Sequence, residues 1–352
     1  MSSLRVHSPL SPSSMLRVTA IFTLGCLCAA AQTGVTIAAV GYQDPQWLIV
    51  APGQVVTIFF SGATIVLPRT GALDAVIGAT ELPLPTTLAG FAVGLSQLCD
   101  NLMPLPGFSS GPLLLPIFSV EQANHCIGPT QAADCTLTAI TVEVLPGLQV
   151  PSGLTPFSPT TTLTIMQDGM ANNEFAVSVL PVNPHVLTLC DSSYMGRPGI
   201  EANNSACPSI VTHADGTLVD PSNPAQVGEA LVLYAFGLGP TVPPVPAGMP
   251  APVSLVSTKV PYTLLFAYRS AGLSSTSADL SAPLFAGLTP GQVGLYQINF
   301  TVPMPSSAIS DCSSPDGANL IVTLFNSIGY PLANLSIKGS DSAHICVATA
   351  TK

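Results

Sequence analysis

Few residues in this chain have the types and spacing to do chemistry. Gly107-Phe108-Ser109-Ser110-Gly111 has the G-x-S-x-G spacing of a nucleophile elbow, where a strand runs into a tight turn and a helix so that the serine stands clear of the sheet. Pro104 and Pro106 before it and Pro112 after it deny that context, so the segment reads as a Gly/Ser loop, with no His and acid tied to it by a pattern. His125 lies beside Cys126 and His344 two before Cys346, while His185 and His213 stand apart from any cysteine pair. Zinc would want paired short spacings such as C-x2-C with H-x3-H, and these are absent. Asp168-Gly169 with Asn172, Asn173 and Glu174, and Asp215-Gly216 with Asp220, could offer oxygens to calcium. Neither set has EF-hand spacing, and Asp-Gly is first a hairpin turn signal because it tolerates positive φ. Sugar recognition needs exposed aromatic faces; Trp47, near Tyr42 and Gln46, is the best single candidate for a ligand contact, and its competing role is a partly buried anchor at a domain edge. The expectation is a chain with no catalytic residue, no metal and no cofactor: not an enzyme.

Nine cysteines fall at 26, 28, 99, 126, 135, 190, 207, 312 and 346. Cys26 and Cys28 go with the export signal, and in an exported chain the remaining seven are for bridging rather than for metal or catalysis. Proximity pairs Cys190 with Cys207 and Cys312 with Cys346, and leaves one pair among Cys99, Cys126 and Cys135, with Cys126 and Cys135 the candidates and one thiol odd. Export itself is read from Leu16 to Ala31, where a basic residue, an apolar run of about a dozen and then small residues follow the layout of a secretory signal. Ala29 and Ala31 place cleavage before Gln32, and Met15 is an alternative start. No later segment has an apolar run long enough to span a bilayer as a helix, so the mature chain is expected to lack a transmembrane segment and to be secreted or held at the cell surface.

Charge narrows the partners. Formal net charge is −10, with eight Lys and Arg scattered and no basic run. Residues 1–31 hold Arg5 and Arg17 and no acid, so the exported part is more acidic still. Nucleic acid and anionic membrane surfaces are excluded as partners on that ground. The expected partner is a protein or glycan at the cell surface.

The elements that must position all this are strands. With 47% hydrophobic and 7% charged residues, 35 prolines and 29 glycines, the chain alternates short apolar, β-branched runs with turn residues, and no stretch holds a 3.6 period for helical length. Val55–Phe60 and Ala230–Ala235 read as buried strands. They also read as copies: Gly53-Gln54-Val55-Val56-Thr57-Ile58-Phe59-Phe60-Ser61-Gly62 aligns with Gly228-Glu229-Ala230-Leu231-Val232-Leu233-Tyr234-Ala235-Phe236-Gly237. Pro116-Ile117-Phe118 then matches Pro283-Leu284-Phe285, and Ile140-Thr141-Val142-Glu143-Val144 matches Ile298-Asn299-Phe300-Thr301-Val302. Two hairpins complete the set: residues 163–166 with 175–179 around Asp168-Gly169, and 320–324 with 335–337 around Ser327-Ile328-Gly329. The order predicts all-β architecture: two tandem immunoglobulin-like β-sandwich domains, residues 32–181 and 182–352, after a signal peptide over 1–31. The boundary falls in Pro181-Val182-Asn183-Pro184, a stretch with little to pack, and Ala214-Asp215-Gly216 turns the first hairpin of the second domain.

The second half carries a longer pattern: His213-Ala214-Asp215-Gly216-Thr217-Leu218, Asn223-Pro224-Ala225, Gly228-Glu229, Leu233-Tyr234-Ala235, Gly237-Leu238-Gly239-Pro240, Pro246-Ala247-Gly248 and Gly294-Leu295-Tyr296-Gln297-Ile298-Asn299. Over about residues 182 to 340 this resembles the uncharacterised C-terminal domain of exported acidobacterial, Solibacter-type proteins. The first half resembles a more divergent copy, through Val50-Ala51-Pro52-Gly53 and Leu84–Gly90. Insertions around Cys99 to Cys135 and Cys190 to Cys207 depart from the pattern. The resemblance implies an immunoglobulin-like sandwich similar to IPT/TIG domains, and it implies no catalytic residue. Adhesion or protein interaction through loops and strand edges is the expected role, polysaccharide or cell-wall binding through Trp47 the alternative, and an esterase-like hydrolase using Ser109 the third reading.

Overall fold

The computed structural model describes residues 35–40, 49–68, 75–98, 112–124, 136–150, 160–189, 191, 208–270, 279–312, 317–326 and 340–349. Gly34–Lys352 forms one compact unit; the other unit, Met1–Thr33, lies outside the described residues, and with it the expected signal. The protein is all-β, and no α-helix occurs among the described residues.

Four sheets account for the strands. The first runs β1 (Thr36–Val40), β3 (Val55–Ser61), β8 (Thr136–Glu143), β7 (Ile117–Asn124), β4 (Ala75–Gly78). The second runs β2 (Ile49–Val50), β10 (Met170–Val179), β9 (Thr160–Gln167), β5 (Phe91–Leu98), β6 (Leu113–Leu114). The third runs β11 (His185–Val186), β13 (Ala230–Phe236), β19 (Tyr296–Thr301), β18 (Phe285–Leu288), β15 (Val256–Thr258), β14 (Thr241–Val242), with β12 (Val211–Thr212) also on β13. The fourth runs β17 (Asp279–Ser281), β16 (Tyr262–Tyr268), β20 (Leu320–Asn326), β21 (Ser340–Ile345).

The order repeats. In the first half β3, β8, β7 and β4 are neighbours in one sheet, and β10, β9, β5 and β6 in the other. In the second half β13, β19, β18 and β15 stand in the matching places, as do β21, β20, β16 and β17. Even the irregular piece recurs: β2 pairs parallel with the end of β10, and Ala225 bridges parallel to Val347 just past β21. Period-2 alternation puts one face of most strands inside, as in β16, β19 and β20. Two cores result. One gathers Ile58, Phe60, Phe91, Ile140 and Ile165, the other Leu231, Phe266, Ile298, Phe300 and Leu324. Phe60 and Phe91 meet edge to face at 6.1 Å in the first core, and Phe266 and Phe300 at 5.7 Å in the second.

Local turn chemistry follows the glycines. Gly53 and Gly228 both have positive φ, at 72° and 84°, as do their distal partners Gly62 and Gly237. Asp168-Gly169 makes the expected two-residue turn between β9 and β10, with φ of 49° and 77°. Ala214–Gly216 likewise closes on His213, whose N–H and C=O bond Thr217 O and Gly216 N.

Two expectations need correction. The partner of β20 is Ser340–Ile345, downstream of the expected 335–337, which lies outside the described residues. Backbone register decides this: Leu320 pairs with Ile345 and Phe325 with Ser340, so the partner strand begins at Ser340. The stretch Pro181–Pro184 is also well packed rather than bare. Val182 and Pro184 are buried, Asn183 N–H donates to Gly237 O, and a Cβ on Gly237 would clash with Asn183 O.

Candidate functional site

Of the cysteines named from sequence, Cys312 and Cys346 are joined, with Cα atoms 5.6 Å apart. Asn319, fully buried, supports that end: its amide nitrogen donates to Val347 O and Ser310 O, and its oxygen accepts Val347 N–H. Cys126, Cys135, Cys190 and Cys207 lie outside the described residues, as do Trp47, Ser109 and His125.

Two of the three described histidines, His185 and His213, are engaged by carboxylates. His213 Nδ1 lies 2.6 Å from Glu229 Oε1, and its Nε2 lies 3.2 Å from Asn223 O. Since both neighbours only accept, the ring suits its protonated form. The Glu229 hydrogen bond outweighs the smaller effect of burial and raises the imidazole's pKa above its ordinary value. Glu229 Oε2 meanwhile accepts Gln226 N–H, closing the turn at the start of β13. His185 sits between two carboxylates, Asp191 at 3.1 Å and Asp341 at 3.5 Å. Burial pulls its pKa down, but both partners pull harder the other way and leave it raised. Each of those carboxylates also receives a backbone N–H: Asp191 from Thr188, Asp341 from Val186. The arrangement ties β11 to β21 and reads as a structural cross-link. His344 is exposed, with its N–H on Ser209 Oγ.

The Asp-Gly groups spend their oxygens locally. Asp215 Oδ1 accepts Thr217 N–H and Oγ1–H; Asp220 Oδ1 accepts Ser222 N–H, Ser222 Oγ–H and Asn223 N–H. Those bonds stabilise the ionised forms and lower both pKa values. Asn172 donates its amide to Ile165 O. Among the described residues no group of three His, Cys, Asp or Glu is placed to hold a metal.

Sheet edges present the clearest outward chemistry. Val76 in β4, Val242 in β14 and Leu280 in β17 are 59%, 57% and 69% exposed, and each belongs to the outermost strand of its sheet. Short length, Pro243 after Val242 and Asp279 before Leu280 limit these edges without closing them. No family model matches the chain, and no curated protein does. No helix among the described residues is long and apolar enough to cross a membrane.

One buried group escaped the sequence reading. Glu143, on β8 and 4% exposed, accepts Gly248 N–H at 2.5 Å from a turn more than a hundred residues away. Alternation in Ile140–Val144 makes Glu143 an outward residue, and nothing within the strand signals that the outward face is covered.

Proposed function

We propose that this is an exported, non-enzymatic protein of two tandem immunoglobulin-like β-sandwiches, related to IPT/TIG-like domains, that serves adhesion or protein interaction at the cell surface. The observation that carries the reading is the set of outer strands, where Val76, Val242 and Leu280 offer exposed aliphatic side chains on an edge that no other described strand pairs. An extended partner segment can add a strand there, with main-chain bonds supplying affinity and the exposed side chain register. The doubled strand order supports the tandem reading, and the shortage of basic residues supports a partner that is neither nucleic acid nor anionic lipid.

The test is retention of the purified, disulfide-intact protein on whole cells, peptidoglycan and insoluble polysaccharides, repeated with Leu280→Lys and Val76→Lys. Capture by a cell-surface protein that falls at least about tenfold in the edge variants is the expected result. Retention on a defined glycan, competed by a soluble fragment and abolished by Trp47→Ala, would replace this reading with the carbohydrate one. Turnover of simple acyl esters that Ser109→Ala removes would replace it with a hydrolase.

A further inference from the structure

The two cores meet along a seam built from close backbone approaches. Gly248 packs against Leu84 N and Pro116, and Gly294 against Val55 and Glu143; Gly53 faces Tyr296 Oη. Leu84 N–H donates to Gly248 O while Gly248 N–H donates to Glu143, so one turn residue is held from both sides by the first half. Asn183 adds side-chain bonds to Ile49 O and Gln54 Oε1.

Two repeat positions each set an uncharged side chain against a carboxyl. Gln54 is neutral and buried, and its repeat partner Glu229 is ionisable and more exposed. That is the economical arrangement, since burying a charge is expensive. At the other repeat position the arrangement is inverted: Glu143 is buried, whereas its partner Thr301 is exposed. The strand does not require a carboxyl there. Among the described residues its single side-chain hydrogen bond is the one from Gly248.

Among the described residues its surroundings offer no counter-charge. From β3 it is faced by Val55, from the start of β7 by Pro116, and from the second half by Gly294, Tyr296 and the Pro246–Met249 turn. The loop 82–85 that holds Gly248 O reads Leu-Pro-Leu-Pro. Tyr296 is the titratable group among these, and its phenol donates to Gly239 O and stays neutral, burial pushing its own pKa far up. We propose that Glu143 is a proton-operated latch: as the neutral acid it seats the Pro246–Met249 turn on the first half, and loss of its proton to solvent releases that turn while both cores stay folded. Desolvation pushes the carboxyl up to about 7, against the smaller opposing effect of the Gly248 bond, so the change falls in an accessible range. Ionisation leaves a carboxylate with one donor and little water, and admitting water at the seam is the relief.

Amide hydrogen exchange of the full chain tests this, with rates corrected for the intrinsic pH dependence. Opening at the Gly248 and Leu84 amides is expected to rise between about pH 4.5 and pH 7 by up to about 300-fold, the factor set by a shift from 4.5 to about 7, and to level off above that. Core amides such as Val322 should not follow. In Glu143→Gln, whose amide oxygen still accepts Gly248 N–H, the rise should vanish. The same rise in the variant, no rise in the wild-type chain, or an equal rise in core amides overturns the proposal. Should the Gln variant not fold, the protonated-carboxyl infrared band of the wild-type chain decides: persistence to near-neutral pH supports the latch, and loss in the ordinary carboxylate range overturns it.

Discussion

The turns at residues 51–54 and 226–229 are the same object in two settings. In each, the fourth residue's N–H returns to the first residue's C=O, at 3.1 Å, and its side chain accepts the first residue's N–H, at 2.8 Å. Each then locks the strand that follows, through Val144 N–H on Gln54 O and Val302 N–H on Glu229 O. Yet the first turn is fully buried and the second is largely exposed. The first is sealed by the other half of the molecule; the second closes itself, with the His213–Glu229 pair and, at the far end, the Cys312–Cys346 bond. Burial selects the amide in one copy and solvent permits the carboxylate in the other. Backbone geometry is therefore the part the two turns share, and the side chains record what covers it.

Removing the disulfide should strain this contrast most. Cys312→Ser with Cys346→Ser frees a loop with a sequence separation of 34, which costs about 3 to 4 kcal/mol in the chain-entropy model and shows as a lower denaturation midpoint. The loss should fall on the second core, with β20 amides exchanging faster and β8 amides little changed. Equal acceleration in both strands would mean that the halves unfold as one and that the self-closed copy is not self-sufficient.

Next in size is a matched pair of glycine changes. Alanine at either Gly53 or Gly228 must hold a positive φ, about 1 to 2 kcal/mol each. At Gly228 nothing lies within 4 Å of the added carbon, whereas at Gly53 it meets Tyr296 Oη at 3.1 Å. Gly53→Ala should therefore destabilise by about 1 kcal/mol more in urea unfolding. Identical losses would remove the seam from the account of the first turn.

The smallest effect belongs to the exposed copy. Because His213 has a raised pKa, its pairing contributes fully below the ordinary histidine value and fades as pH rises through the raised one. Glu229→Gln should bring the His213 titration, followed by NMR, down toward 6.5. A titration that does not move would show that Asn223 O and the neighbouring Asp215, not Glu229, hold the imidazolium.

How much of this was legible beforehand depended on range. The paired glycines, the Asp168-Gly169 turn and the alternating strands obey rules written over a few residues, and each appears where its residues stand. The Cys312–Cys346 bond was legible from proximity. The partner of β20 was displaced because its loop is long, and loop length has no strong local signature. Glu143 was invisible for a plainer reason: its strand neighbours specify only inward and outward, while the turn that covers the outward side comes from the other half of the chain. The ring of His185 is caught by Asp341, 156 residues further on, a meeting that no spacing announces.

The parallel bridges carry a mechanical meaning. Val50 accepts Leu180 N–H in the first half, and Ala225 accepts Ala348 N–H in the matching place of the second. In each half a segment just before the first long inner strand and one at the end of the last strand or just after it run side by side in the same direction. Tension along the polypeptide therefore pulls the two members of each bridge past one another, so that their bonds bear the load together instead of parting one after another.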